Sequence, residues 1–227
     1  MPTAEELGIL ALSLKVAFWG LAASLPFAIA AAFLLARKRF PGKTLFDAAV
    51  HLPLVLPPVV VGFALLALFG TRGPVGSVLE SMGIVIAFRW SGAALAAAIM
   101  GFPLLVRAIR LAIEAVDPRL ERAARTLGAS PLRTFLTVTL PLSLPGVLTG
   151  SLLAFARALG EFGATITFVS NIPGETQTLP LAIYTFTQMP GGDAAAWRLS
   201  LFSVALSLAA LALSEWLARR TGTRAHA

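Results

Sequence analysis

Long apolar runs, separated by shorter polar stretches, organise this sequence. Five of these runs come close to the ~20 residues that an α-helix needs to cross a bilayer. They lie at roughly 8–36, 48–69, 91–113, 144–169 and 198–217. The pattern predicts an all-α integral membrane protein, a polytopic bundle of about five transmembrane helices, with residues 1–227 as one domain.

Two further features of the apolar pattern concern how these helices are joined or broken. Residues 176–190 read TQTLPLAIYTFTQMP, which is about 15 residues and short for a span. We interpret this stretch as a re-entrant or surface element, because a sixth crossing would invert the last span. Prolines inside the predicted spans indicate either hinges or ordinary helix bends. They are Pro26, Pro53, Pro57, Pro58 and Pro103.

The composition agrees with a membrane location and narrows the chemistry. The chain is 57% hydrophobic and 13% charged, and this charged fraction is about half that of soluble domains. It has no cysteine, which excludes disulfides and thiol-based metal sites. The two histidines, His51 and His226, are far apart in the sequence, and no set of residues suggests a metal site or a catalytic triad.

Residues 41–44, PGKT, look like the end of a phosphate-binding loop. That motif requires a glycine five residues before Gly42, where this chain has Arg37. We therefore predict that the chain is not an enzyme of the phosphate-loop type, that it hydrolyses no ATP by itself and that it binds no cofactor of its own.

Most of the Lys and Arg residues, which give the chain a net charge of +7, lie in three connecting regions. These are residues 37–46, residues 114–141 and the tail with Arg219, Arg220 and Arg224. Such basic loops face the cytoplasm in helical membrane proteins, so the charge does not indicate nucleic-acid binding. Five spans then place the N-terminus outside and the C-terminus in the cytoplasm.

The central segment, residues 114–141, has the sequence signals of two capped helices. Asp117-Pro118 and Ser130-Pro131 are helix starts, and Gly128 is a helix end. Apolar residues at positions i, i+3, i+4 and i+7 form a stripe along one face of the first helix. It consists of Leu120, Ala123, Ala124 and Leu127. We interpret the segment as a rigid element that inserts into a groove of a soluble partner, the alternative being an amphipathic loop on the bilayer.

Span 144–169 carries two opposite charges, Arg157 and Glu161. Residues four apart lie on one face of a helix, and a charge inside a span normally faces a partner, a cavity or a pathway. The pair either lines or gates a conduit, with the arginine attracting an anion, or fixes helix packing as a structural ion pair.

The central segment resembles the EAA loop of ABC importer permeases. That pattern has Glu-Ala-Ala, a glycine four residues after the second alanine, and a closing apolar-x-Leu-Pro. Ala123-Ala124, Gly128 and residues 138–141, VTLP, match it. Arg122 stands at the usual glutamate position, with Glu121 one residue earlier, so the resemblance does not carry over that glutamate's contact. It implies that the loop docks into a cleft of a cytoplasmic ATPase.

Longer stretches are similar to the permeases of bacterial molybdate importers. They read HLPLVLPPVVVG, RTLGASP, LAFARALGEFGATITFVSNIPGET and SEWLAR. The similarity implies a type I ABC importer permease that forms a homodimer in the lipid of the bacterial inner membrane. It also implies two copies of a separate ATPase, which holds ATP and Mg²⁺, and a periplasmic binding protein that delivers the oxyanion.

Other functions stay open beside molybdate import. Tungstate, sulfate or thiosulfate are alternative cargoes, because related permeases carry sulfate and thiosulfate and tungstate nearly equals molybdate in size and charge. An ATP-independent secondary transporter would need coupling-ion carboxylates near the midplane, often in repeated halves. Glu161 is the single carboxylate that qualifies, and no internal repeat is evident.

Overall fold

The computed structural model describes residues 3–222, except the side chains of residues 214, 215 and 217–222. The described residues form helices and connecting turns, which confirms the predicted all-α class. The basic side chains of Arg219 and Arg220, together with Arg224 and His226, lie outside the described part. The helices are α1 (Ala4–Arg37), α2 (Lys43–Val55), α3 (Pro58–Phe69), α4 (Gly76–Ser81), α5 (Trp90–Ala115), α6 (Pro118–Thr126), α7 (Pro131–Thr134), a π-helical turn (Phe135–Thr139), α8 (Leu140–Leu159), α9 (Gly163–Val169), α10 (Leu179–Gln188) and α11 (Asp193–Gly222).

Four stretches of the described chain are long and apolar enough to cross a membrane as continuous helices. They are Ala4–Arg37, Trp90–Ala115, Pro131–Leu159 and Asp193–Leu213. The pair α2 and α3 supplies a fifth crossing if the two helices count as one span. The prediction of about five spans is therefore confirmed. Two of the predicted spans are not single helices but are broken in the middle.

The predicted span 48–69 is broken in the middle, because α2 and α3 meet at an angle of 112°. Pro57 and Pro58 have no backbone N–H to continue the helical ladder, and a residue before proline avoids the helical region. Leu56 accordingly has ψ 142° and Pro57 has ψ 133°. Pro26 and Pro103, in contrast, lie inside continuous helices, so the proline pair is what breaks this span.

The predicted span 144–169 is also interrupted, since α8 ends at Leu159 and α9 starts at Gly163. This second break packs beside the first one. A Cβ atom at Gly62 would lie 2.5 Å from the carbonyl oxygen of Ala164, and one at Gly163 would lie 2.8 Å from Cβ of Pro58. The glycines therefore allow α3 and α9 to approach at backbone contact, so the two broken spans support each other.

Helix α5 lies at the centre of the bundle and packs along α1 and α8. Its N-terminal half presents small buried side chains, including Ala93, Ala96 and Ala97. A Cβ atom at Gly20 of α1 would lie 2.7 Å from the carbonyl oxygen of Ala94. Small residues let helix backbones pack closely in a membrane, where van der Waals contact replaces the hydrophobic driving force. The core is therefore built mainly by alanine and glycine.

The ambiguous stretch 176–190 contains the ten-residue helix α10, about 15 Å long. It is too short to cross, as predicted, but it is not a surface element. Leu181 and Ala182 are fully buried, and the backbone N–H of Leu179 donates to Oγ of Ser13 in α1 at 2.7 Å. The helix is therefore built into the bundle beside α1 and α11.

Candidate functional site

Helix α6 begins and ends as the capping pattern predicts. The backbone N–H of Arg119 donates to Oδ1 of Asp117 at 2.8 Å. At the other end Gly128 has φ +87°, a left-handed conformation that suits glycine. Its N–H donates to the carbonyl of Arg125, and the N–H of Ala129 donates to that of Ala124, both at 3.0 Å. These two bonds form a Schellman motif, so the helix end is fixed by the backbone itself.

The second helix of the central segment is not a separate short helix. It starts at Pro131, where the N–H of Arg133 donates to Oγ of Ser130 at 3.3 Å. It then passes through the π-helical turn Phe135–Thr139 directly into α8. The interpretation as two short helices is therefore wrong for the second one. The helix that follows the glycine corner is therefore continuous with α8.

Helix α6 has two faces that point in different directions. The apolar stripe, defined above, occupies positions 120, 123, 124 and 127. A second set with the same i, i+3, i+4, i+7 spacing is offset by two residues, which is about 200° around the helix. This cationic face consists of Pro118, Glu121, Arg122 and Arg125. The predicted docking residues Glu121 and Arg122 therefore lie on the face opposite the stripe.

Among the residues that the structure describes, none covers the apolar stripe. Leu120 is 49% exposed and Leu127 is 89% exposed. Ala123 is exposed and Ala124 is half-buried between them. The exposed corner at Gly128, Ser130 and Pro131 adjoins the stripe. A row of large apolar side chains around two alanines is typical of a surface that another protein covers.

The cationic face is tied to the end of α1 by a set of contacts that we call the Arg37 network. Nε of Arg37 donates to Oε1 of Glu121 at 3.0 Å, and Nη2 donates to the carbonyl of Val116 at 2.7 Å. Oγ1 of Thr139 donates to the same Glu121 oxygen at 2.9 Å. One carboxylate thus joins α1, α6 and the start of α8.

Sequence reasoning missed this network. It assigned Arg37 to a basic loop, whereas the residue is the last one of α1 and lies 84 positions before its carboxylate partner. No local pattern connects residues that far apart. The signal that exists is Glu121 itself, a single acidic residue among the arginines of α6.

Arg157 and Glu161 form the predicted ion pair, with Nη1 of the arginine 2.7 Å from Oε2 of the glutamate. The reason differs from the prediction, because Glu161 lies after the end of α8 and not on its face. Its Oε1 accepts a hydrogen bond from the backbone N–H of Ala164, in the first turn of α9, at 2.8 Å. Glu161 is 2% exposed and the Arg157 side chain is 29% exposed. The glutamate therefore bonds to both sides of the break and holds the partly exposed side chain of Arg157.

The two candidate sites are not close together. The Arg37 network lies at the start of α8 and the ion pair lies at its end, with a helix of about 30 Å between them.

Two further ion pairs were missed by the sequence reasoning. Asp47 of α2 pairs with Arg110 of α5 at 3.0 Å, and Arg198 of α11 pairs with the buried Glu6 of α1 at 2.7 Å. Both ion pairs join helices that are distant in sequence.

His51, one of the two histidines, lies 3.1 Å from Oδ1 of Asp47 through its Nδ1 atom. No group of three or more His, Asp or Glu residues among the described residues is arranged to hold a metal ion.

Comparison with known proteins gives a consistent result. The model of the family described as "Binding-protein-dependent transport system inner membrane component" matches residues 24–223. The molybdenum transport system permease protein ModB of Escherichia coli (strain K12) is 61% identical over 215 residues, which is 94% of each chain. The protein of the same name from Haemophilus influenzae is 57% identical over 216 residues, 95% of this chain and 94% of the relative.

Solved structures agree in fold. A bacterial alginate ABC transporter, in complex with a periplasmic protein that holds an alginate pentasaccharide, aligns with a TM-score of 0.74. The alignment covers 96% of this chain and 80% of that chain, at 17% sequence identity. At this identity the likeness concerns the arrangement of the helices.

The Arg37 network should contribute to the stability of the fold. We expect Arg37→Met and Glu121→Leu each to lower the free energy of unfolding by about 1.5–3 kcal/mol, because each leaves a charged partner without its hydrogen bonds. The double variant should lose less than the sum, with a coupling of about 0.5–3 kcal/mol. Unfolding in detergent titrated with SDS measures these values. The control is the double variant Arg39→Met/Glu121→Leu, whose loss of unfolding free energy should equal the sum of the two single losses. If the losses for Arg37→Met and Glu121→Leu were also additive, the Arg37 network would be contradicted.

Proposed function

The chain belongs to the family of binding-protein-dependent transport system inner membrane components, and we propose that it is the permease subunit of an ATP-driven molybdate importer. The family and the apolar helices place it in the inner membrane as a multi-pass protein. The observation that carries the choice of cargo is the 61% identity to the molybdenum permease of E. coli over 94% of both chains. The fold alone does not choose a cargo, because one fold serves many substrates.

The ATPase partner docks on the apolar stripe. The stripe is exposed, its centre is narrow at Ala123 and Ala124, and both ends of α6 are fixed by caps. A cleft on the partner that receives this helix covers the stripe and the corner at Gly128, Ser130 and Pro131. Because α7 continues into α8, a movement of the corner is passed into the bundle without an intervening flexible loop. ATP and Mg²⁺ are held by the partner.

The Arg37 network connects the docking helix α6 to helices that cross the membrane. A partner that pulls on the stripe acts on a helix whose opposite face is bound through Glu121 to α1 and to the start of α8. The ring of Phe33 in α1 also packs edge-on against Phe135, with centroids 4.9 Å apart. Movement of α6 is therefore coupled to two of the membrane-crossing helices at once.

The proposed assembly is the one that the family resemblance implies. Two copies of this chain form a homodimer in the lipid bilayer, each docked to one of two ATPase subunits. A periplasmic binding protein delivers the oxyanion on the opposite side. The basic loops and α6 then face the cytoplasm, with the N-terminus outside and the C-terminus in the cytoplasm. Alternating access arises because each partner binds one state of the dimer better than the other.

The break between α8 and α9 lines the translocation pathway. Arg157 is half-exposed and carries a positive charge at this point, which suits passage of an anion. Glu161 is buried and uses both carboxylate oxygens within the chain, one on Arg157 and one on Ala164. We assign Arg157 to the pathway and Glu161 to the positioning of that arginine.

Reconstitution in liposomes with the ATPase and a binding protein tests the function. We expect molybdate-loaded binding protein to stimulate ATP hydrolysis and uptake, tungstate to act similarly because of its equal charge and similar size, and sulfate or thiosulfate to act less. The control is the same vesicles without the ATPase. A stronger response to sulfate or thiosulfate would assign the chain to those cargoes, and uptake without ATP would make it a secondary transporter.

Ala124→Trp should uncouple ATP hydrolysis from transport. The indole places a large side chain at the narrow centre of the stripe and prevents close approach of the partner. We expect uptake to fall by about tenfold or more, as for a loss of 1.4 kcal/mol or more in docking free energy. Thr126→Trp, on the same helix but off the stripe, is the matched control. Equal uptake by the two variants in the reconstituted system would refute docking through the stripe.

Glu161→Gln should change transport and leave the protein assembled. The amide oxygen still accepts the N–H of Ala164, but the charge opposite Arg157 is lost. We expect molybdate uptake to fall by about tenfold, the factor that corresponds to about 1.4 kcal/mol, with an unchanged elution volume in size-exclusion chromatography. Glu114→Gln, a more exposed carboxylate of α5, is the control. Wild-type uptake by Glu161→Gln would reduce the ion pair to a packing role.

A further inference from the structure

A cavity of about 310 Å³ lies between the end of α1 and the cationic face of α6. It is separate from the apolar stripe and from the break between α8 and α9. Four cationic side chains, one carboxylate and one aromatic ring contribute most of its wall. They are Arg37, Lys38, Arg122, Arg125, Glu121 and Phe33.

The charges of this wall do not balance. Four cations and one carboxylate give +3 (4 − 1 = 3). The carboxylate of Glu121 is already bound to Arg37 at 3.0 Å. No carboxylate of the described residues lies within ion-pair distance of Lys38, Arg122 or Arg125. Three cations that converge without a counter-charge favour an anionic ligand from outside the chain.

The geometry of α6 separates this cavity from the docking surface. Arg122 and Arg125 lie on the cationic face, about 200° from the apolar stripe. A protein seated on Leu120 and Leu127 therefore approaches from the opposite side of the helix. The cavity lies next to the last turn of α1, at the end of a helix that is long and apolar enough to cross the membrane.

The wall of the cavity is apolar toward the membrane and cationic away from it. Phe33 lies one helical turn before Arg37 in α1 and therefore nearer to the hydrocarbon region. A phospholipid has the same arrangement, with acyl chains below an anionic phosphate. Basic pockets beside transmembrane helices on the cytoplasmic side are typical sites for anionic headgroups.

We propose that this cavity binds the phosphate headgroup of an anionic phospholipid of the inner leaflet, with Lys38 and Arg125 as its main ligands. The assignment to the inner leaflet rests on the proposed orientation of the importer. A bound headgroup joins α1 and α6 through the cations of both helices, in addition to the Arg37 network. It thereby holds α6 in the position from which the stripe is presented to the ATPase.

Lipid retention by the full-length permease tests the proposal without any need for cargo or ATPase. The protein is purified from membranes, placed in nanodiscs of phosphatidylcholine with phosphatidylglycerol, and washed, and the phosphatidylglycerol that remains per permease is measured by mass spectrometry. The test variant is Lys38→Gln/Arg125→Gln. The matched control is Arg39→Gln/Arg119→Gln, which removes the same charge from the same loop and the same helix but not from the cavity wall.

We expect the wild type and the control to retain phosphatidylglycerol in preference to phosphatidylcholine. The cavity variant should retain roughly thirtyfold less, because each cation near an anionic headgroup contributes a factor of about five. Lys38 and Arg125 are both exposed, so the variant should fold, and its thermal unfolding in detergent checks this. If the double variant does not fold, Lys38→Gln alone should show about a fivefold loss.

Three outcomes would overturn the proposal. Equal losses in both double variants would mean that general surface charge attracts the lipid. Inorganic phosphate that displaces phosphatidylglycerol at millimolar concentration would identify a free anion as the ligand. Unchanged lipid retention, together with ATPase binding that is weakened by the cavity variant in pure phosphatidylcholine, would assign the cations to acidic groups of the partner. None of these results depends on which oxyanion is transported.

Discussion

Inside a bilayer every backbone N–H and carbonyl needs a partner within the protein, and this constraint explains how the chain tolerates two broken spans. Pro57 and Pro58 end one helical ladder, and Gly160 to Phe162 interrupt another. The two breaks pack together through Gly62 and Gly163, and the Glu161 carboxylate accepts a backbone N–H of α9. The irregular backbone of each break thus packs against the other break.

The same helices carry the connection to the partner protein. α8 begins as the continuation of the docking corner and ends beside the Arg157–Glu161 pair. A helix of about 30 Å therefore joins the proposed docking corner to the Arg157–Glu161 pair. Glu121 adds a link from that corner to α1. Coupling in this permease depends on rigid elements and fixed ends, which is why both ends of α6 are capped.

Helix α6 divides two tasks between its faces. Its apolar stripe is exposed, while its cationic face turns to the end of α1 and lines the cavity that we propose for an anionic headgroup. Two interleaved i, i+3, i+4, i+7 patterns in one short helix achieve this separation. At Arg122 the departure from the usual glutamate adds a positive charge to the wall of the cavity between α1 and α6.

The sequence by itself determined the class of protein, the number of spans and both caps of α6, since these depend on apolar length and on signals a few residues apart. It also placed Arg157 beside Glu161. Only the tertiary structure decided the 112° bend, the approach of α3 to α9 and the Arg37–Glu121 contact over 84 residues. Apolar patterns record whether a segment is buried, whereas the pairing of distant helices depends on side-chain shape and charge in three dimensions, which no local window contains.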